Sequence, residues 1–193
     1  MIRTRRMTLA VLIAALAYLV ATAGETKAAP APAEGRKPSV ERGAYLVKIM
    51  GCNHCHTPYK LGPAGPEPDM ARALSGHPAD FVMPAPPALD GKWQWLGAAT
   101  NTAFSGPWGT SFTANLTPDP ETGLGRWSVD TFIAAMRTGR HEGKGRPILP
   151  PMPVENLAAL SDGDIRDLFA YLQSIRPVRN RVPAPLDPPE DAQ

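Results

Sequence analysis

The sequence has few cysteines, few aromatic residues and almost no net charge. Two of its 193 residues are cysteine, 7% are aromatic, and 20 basic against 18 acidic residues leave a net charge of +2. This balance gives no reason to expect a nucleic-acid partner or strong electrostatic steering. Proline (23) and glycine (17) are plentiful, and because both interrupt regular structure they predict a large share of loop. The length suits one compact domain.

The first 23 residues have the pattern of an export signal. Three arginines precede an uncharged apolar run at residues 9–20, and small residues at 21–23 provide a cleavage site of the A-x-A kind. We therefore expect cleavage. The alternative is an uncleaved anchor, because the uncharged stretch 7–24 is just long enough to span a bilayer. No cysteine directly follows the run, which argues against a lipoprotein anchor.

Both cysteines belong to one motif, in which Cys52 and Cys55 are separated by two residues and His56 follows at once. This is the attachment signature of c-type haem. Each thiol adds to one haem vinyl group, and the two intervening residues let the chain cross between the vinyl positions. The histidine then becomes the proximal iron ligand. The motif predicts one covalently attached haem c per chain.

Three other uses of the cysteines remain open. A thioredoxin-type redox pair would need a strand before the motif and a helix after it. Here a helical pattern precedes the motif, and Pro58 and a Gly/Pro-rich stretch at residues 61–68 follow it. A zinc site would use both cysteines and two of the four histidines, but the sequence has no second metal-binding pair. The third alternative is an inert disulfide.

Apolar residues at helical spacing predict three helices, at about residues 39–50, 128–139 and 161–176. Each begins at a serine suited to cap it. Gly43 in the first helix either admits another helix at close range, with Phe169 or Tyr171 packed on it, or is tolerated at an exposed position. Because no stretch alternates like a half-buried strand, we expect an all-α domain with long Pro- and Gly-rich loops.

An electron-transfer haem needs a second axial ligand, and Met152 is the preferred candidate. It lies between Pro151 and Pro153, whose rings stiffen the backbone and so present the weakly binding thioether from a fixed loop. Met83 also precedes a proline and is its rival, while Met136 lies on an apolar helical stripe and is expected in the core. We expect the remaining histidines to face away from the iron or to lie on the surface: His54, His77 and His141.

These features resemble the class I cytochrome c superfamily. The motifs that carry the likeness are residues 42–47, 52–58, 151–153 and 164–172. Residues 115–127 more narrowly resemble the cytochrome subunits of membrane-bound bacterial dehydrogenases. The resemblance spans about residues 39–181. It implies a cytochrome c-like fold with haem attached at the two cysteines, His56 as proximal ligand and Met152 as distal ligand.

On this basis we expect a signal peptide at 1–23, a disordered Ala/Pro-rich linker at 24–37 and a cytochrome c domain at 38–182. A Pro-rich flexible tail is expected at 183–193. Within the domain, residues 61–107 form an insertion that the family pattern does not match. The insertion either covers the haem edge, forms a docking surface or has no role.

Two further residues are assigned only by analogy with the family. Arg126 and Trp127 are expected to contact the haem propionates, since arginine pairs well with carboxylates. The alternative is that Arg126 is solvated and Trp127 is a hydrophobic staple at the entry to the second helix. The residues themselves favour neither interpretation.

The resemblance implies an electron carrier of the bacterial periplasm, soluble or tethered to the membrane. Histidine and methionine ligation fills the iron coordination sphere and raises the potential, which suits the transfer of single electrons. The expected partners are redox proteins such as a dehydrogenase or a terminal oxidase, with no nucleic acid and no catalytic residues. An open sixth site would instead indicate a peroxidase-like haem enzyme. Absence of haem would indicate a thiol–disulfide oxidoreductase.

Overall fold

The computed structural model describes residues 36–87, 89 and 91–188. The expected signal peptide, most of the expected linker and the last residues of the expected tail lie outside this part. Within it, no helix combines the length and the apolar character needed to cross a membrane.

The three helices predicted from the sequence are confirmed. Each begins at the expected serine, whose side-chain oxygen accepts a backbone N–H of the first turn. Two short helices were not predicted, one formed by the Cys-x-x-Cys-His motif itself. In chain order, the α-helices of the described residues are α1 (Val40–Ile49), α2 (Cys52–His56), α3 (Val129–Thr138), α4 (Val154–Ala158) and α5 (Asp162–Ser174).

The all-α expectation is wrong, because the described residues also contain two small antiparallel sheets. Their strands are β1 (Tyr59–Gly62), β2 (Gly65–Pro68), β3 (Leu96–Gly97), β4 (Ala103–Gly106) and β5 (Gly109–Phe112). β1 pairs with β2, and β4 lies between β3 and β5. At two to four residues each, these strands are too short to show alternation, and their prolines and glycines read as loop. The domain is therefore mixed α/β.

Gly43 lies where α1 crosses α5. A Cβ atom at this position would come within 2.7 Å of the Tyr171 Cβ and would overlap the backbone carbonyl of Asp167. The interpretation of Gly43 as a close-approach site is therefore confirmed. Beside it, the buried Asp167 carboxylate accepts the backbone N–H of Ser39 at 2.7 Å and pairs with Arg36.

The apolar core lies where α1, α3 and α5 meet. Its side chains are at most 5% exposed, and burying one such side chain stabilises the fold by about 1.5–3 kcal/mol. The core residues are Leu46, Val47, Leu74, Leu124, Phe132, Ile165, Leu168 and Leu172. Leu124 and Phe132 also line the cleft described next, so the packing of the core fixes one wall of the candidate site.

Candidate haem-binding site

A cleft of about 360 Å³ brings together four of the six residues predicted for the site: Cys55, His56, Trp127 and Met152. Cys52, one turn before His56, is half-buried against the apolar core. Arg126 is exposed and lies outside the cleft wall. The structure therefore places the attachment motif and the predicted methionine on one cavity, and does not bring Arg126 to it.

His56 is positioned as a neutral imidazole. Its Nδ1 lies 2.8 Å from the carbonyl oxygen of Ala114. Because a carbonyl can only accept, Nδ1 carries the proton and Nε2 keeps its lone pair for a metal. Burial lowers the pKa of His56, although the hydrogen bond to Ala114 opposes this. The ring is thus held in the tautomer and protonation state that an iron ligand needs.

The two cysteines have the environment of apolar attachment points. Both are half-buried, and burial raises the pKa of each thiol. A thioredoxin-type pair shows the opposite, a lowered pKa at a helix that follows a strand. Here α2 follows α1, so neither the fold context nor the thiol pKa favours that alternative.

A zinc site also finds no support in the structure. Within the described ranges, no three or more His, Cys, Asp or Glu side chains cluster closely enough to hold a metal ion. A structural zinc site normally needs four such ligands.

The loop that carries Met152 is fastened to the small sheet. Ser111 on β5 donates its hydroxyl to the carbonyl oxygen of Pro150 at 2.6 Å. The backbone N–H of Val154 in turn bonds to the carbonyl oxygen of Met152 at 2.9 Å. The methionine is half-buried on the cleft wall. Stiffness expected from the neighbouring prolines is therefore reinforced by a contact from a distant strand.

Of the other ligand candidates, Met136 and His141 also border the cleft, whereas the rest lie outside its wall. Met83 is outside the cleft wall, and Met136 packs against the apolar core while bordering the cleft. His54 is exposed outside the cleft wall, and His141 is exposed at the edge of the cleft.

The expectation that His77 lies on the surface is wrong. Its side chain is fully buried, with Nδ1 2.9 Å from the Thr102 hydroxyl and Nε2 2.9 Å from the Phe81 carbonyl oxygen. A polar side chain can be buried in this way because both ring nitrogens have partners. Both partners belong to the insertion at 61–107, so the hydrogen bonds of His77 link separate parts of that segment.

Trp127 fits both interpretations made from the sequence. It packs against the core at the entry to α3, and its ring also lines the cleft. Its ring centroid lies 5.3 Å from that of His141, with the rings nearly perpendicular. The tryptophan therefore closes one side of the cleft whether or not it contacts a bound group.

The cleft walls suit a large planar group with charged edges. Most of the lining is apolar, while two arginines, Arg146 and Arg181, border it. The Thr113 hydroxyl on the same wall is buried without a hydrogen-bond partner among the described residues. Together with the orientation of His56, this chemistry fits a covalently attached porphyrin.

Several residues of the cleft wall were not predicted from the sequence. Phe104 and Ser111 come from the second sheet, and Arg181 comes from the segment after α5. None carries a local signal, because each is brought to the cleft by pairing between distant segments. Part of the unmatched insertion thus forms a wall of the candidate site.

Comparison with known proteins gives relatives that are much longer than this chain. The chain is 44% identical over 86 residues to a subunit of the nicotinate dehydrogenase of Pseudomonas putida, covering 45% of this chain and 7% of that protein. It is 29% identical over 147 residues to the cytochrome c subunit of the quinone-dependent alcohol dehydrogenase of Gluconobacter oxydans (76% and 23%). It is 27% identical over 150 residues to the fructose dehydrogenase cytochrome subunit of Gluconobacter japonicus (77% and 24%).

No family model matches the sequence. The chain spans a quarter or less of the length of these curated relatives. Two of the three are cytochrome subunits of dehydrogenases, and their matches cover about three quarters of this chain. The comparisons thus confirm the likeness predicted from the motifs: this chain resembles the cytochrome c subunits of dehydrogenases.

Proposed function

We propose that the chain is an exported cytochrome c that passes single electrons through one covalent haem with histidine and methionine ligands. The observation that carries this proposal is the neutral His56, held by Ala114 next to Cys55, on the same cleft as Met152. When bound, the haem supplies the one-electron chemistry of its iron.

The chain's own residues have three tasks in this proposal. Cys52 and Cys55 hold the group covalently, and the hydrogen bond from His56 to Ala114 fixes the orientation of the proximal ring. Met152, on a loop fastened by Ser111, would supply the second ligand from the wall of the same cleft. The apolar wall excludes water, which favours a raised potential because a dry site penalises the extra positive charge of the oxidised iron.

The relatives suggest where such a carrier acts. Two of the three are cytochrome subunits of dehydrogenases, a name that indicates electron transfer rather than the catalytic step. We infer that this chain accepts electrons from a dehydrogenase and delivers them to a terminal oxidase or another redox protein. The pattern of an export signal supports a periplasmic location for this exchange, with a membrane tether if the signal is not cleaved.

The visible spectrum of protein matured with haem tests the proposal. We expect the α-band of a reduced low-spin thioether haem, and a mass that exceeds the polypeptide by one haem. Met152→Ala should abolish the charge-transfer band between sulfur and ferric iron, whereas the control Met83→Ala should keep it.

Three results would contradict the proposal. Survival of the band in Met152→Ala would exclude this residue as the ligand. A high-spin spectrum that shifts with carbon monoxide would indicate an open sixth site. A protein that carries no haem would favour the alternative function, a thiol–disulfide oxidoreductase.

A further inference from the structure

After the end of α5 the chain stays in contact with the domain. Residues 178–186, here called the C-terminal strap, run back along the cleft, and four of them line it: Arg181, Val182, Pro183 and Pro185. Hydrogen bonds fasten the strap at both ends.

The first end of the strap is held by a buried polar network. Asn115 donates its side-chain N–H to the carbonyl oxygen of Val178 at 2.8 Å, and the Val178 N–H donates to the hydroxyl of Thr117 at 3.0 Å. The Asn180 side-chain N–H groups donate to the carbonyl oxygens of Ser75 and His77 at 2.7 and 2.8 Å. The Asn115 to Thr117 motif therefore positions a segment more than 60 residues away in the sequence.

The other end is paired to the second sheet. Leu186 and Thr110 exchange two backbone hydrogen bonds, each 2.9 Å long. The neighbouring Gly109 has a φ of +89°, and a Cβ there would overlap the Leu186 carbonyl. Glycine is suited to this position because it tolerates positive φ and allows the close approach. The strap is thus a built wall of the cleft.

Arg181 stands out within this wall. Its neighbour Arg179 pairs with Glu121 at 2.9 Å, and Glu121 also borders the cleft. Arg181 lines the cleft but has no carboxylate partner in the part of the chain that the structure describes. A guanidinium at an apolar cleft favours a planar anion with two oxygen atoms.

We propose that Arg181 binds a propionate carboxylate of the haem and that the strap holds it in place. The inference rests on the proposed function, because it needs a haem in the cleft. It assigns the propionate contact to a residue beyond the last helix that lines the cleft, rather than to Arg126, which does not. Pairing keeps a positive charge beside the iron and so favours its reduced state.

The reduction potential of the matured protein tests this assignment. Arg181→Gln should lower the potential, because an unpaired propionate stabilises ferric iron. Arg181→Lys keeps the charge and should retain most of the potential, and it serves as the test variant if the glutamine variant does not mature. Arg126→Gln removes the same charge from a side chain that does not line the cleft and should leave the potential nearly unchanged.

The outcomes separate this inference from the proposed function. No fall in Arg181→Gln, an equal fall in Arg126→Gln, or an equal fall in Arg181→Lys would overturn the propionate contact while leaving the cytochrome assignment intact. Wild-type protein that carries no haem would overturn both.

Discussion

The carbonyl oxygen of Ala114 decides which nitrogen of His56 is available to a metal, since it can only accept a proton donor. Asn115, the next residue, holds the C-terminal strap through Val178. Two consecutive residues thus orient the His56 ring and fix a wall of the cleft. The stretch that begins at Asn115 was recognised in the sequence as a family likeness. In the structure, its first residue holds the C-terminal strap in place.

Gly43 gives a prediction at the scale of one residue. Gly43→Ala should destabilise the protein by a net of about 1–2 kcal/mol, because the added methyl group overpacks the crossing of α1 and α5 at a cost of about 2–3 kcal/mol. The helix propensity of alanine offsets about 1 kcal/mol of this cost. Urea unfolding monitored by circular dichroism measures the change.

The exposed Lys48 on the same helix provides the control for this prediction. Lys48→Ala should change the free energy of unfolding by no more than about 0.5 kcal/mol. Equal stability of Gly43→Ala and wild type would mean that the two helices do not approach as closely as described.

Among the elements, the second sheet and the C-terminal strap complete the cleft that the helices begin. β5 fastens the Met152 loop through Ser111 and the strap through Thr110. Strands of two to four residues are marginal on their own, so these contacts stabilise the sheet as well as the cleft. The Met152 loop and the strap therefore share one support.

Truncation tests the role of the C-terminal strap. A chain that ends after Asn180 loses two backbone hydrogen bonds between Leu186 and Thr110, and we expect a loss of about 1–3 kcal/mol in stability. Because one wall of the cleft is then missing, cyanide should bind the ferric protein faster, as measured by stopped-flow absorbance. A chain that ends after Pro188 keeps the strap and should behave as wild type; identical cyanide kinetics in both truncations would show that the strap does not limit access.

For the whole molecule, Asp167 joins the start of the described chain to α5. Burial would raise the pKa of this carboxyl, but hydrogen bonds from the Arg36 guanidinium and the Ser39 N–H outweigh that effect and hold the pKa below its ordinary value. A carboxyl whose pKa is lower in the folded state stabilises the protein above the unfolded-state pKa of about 3.9. That contribution is lost as the pH falls through the lower, folded-state pKa.

Asp167→Asn should therefore cost about 1–3 kcal/mol near neutral pH, with the difference from wild type shrinking below a pH of about 4. Urea unfolding across this pH range measures the effect. Asp130, exposed in the first turn of α3, serves as the control, and its asparagine variant should follow the wild-type curve. A difference at Asp167 that stays constant with pH would contradict the ionic origin.

The sequence by itself determined the attachment motif, the three long helices and their serine caps. These features are local. A haem attachment motif takes five consecutive residues, and a helix can be predicted from the spacing of nearby apolar residues and from a capping side chain. The proline-bracketed Met152 was likewise visible from its neighbours alone. The family likeness followed from these same segments.

Only the tertiary structure decided what surrounds them. The two sheets, the buried His77 and the wall formed by Phe104, Ser111 and Arg181 depend on contacts between segments far apart in the chain. Asn180, for example, bonds to Ser75 across 105 positions. Such contacts leave no period or motif in the sequence, because each partner is an ordinary polar or apolar residue until the fold brings the two together.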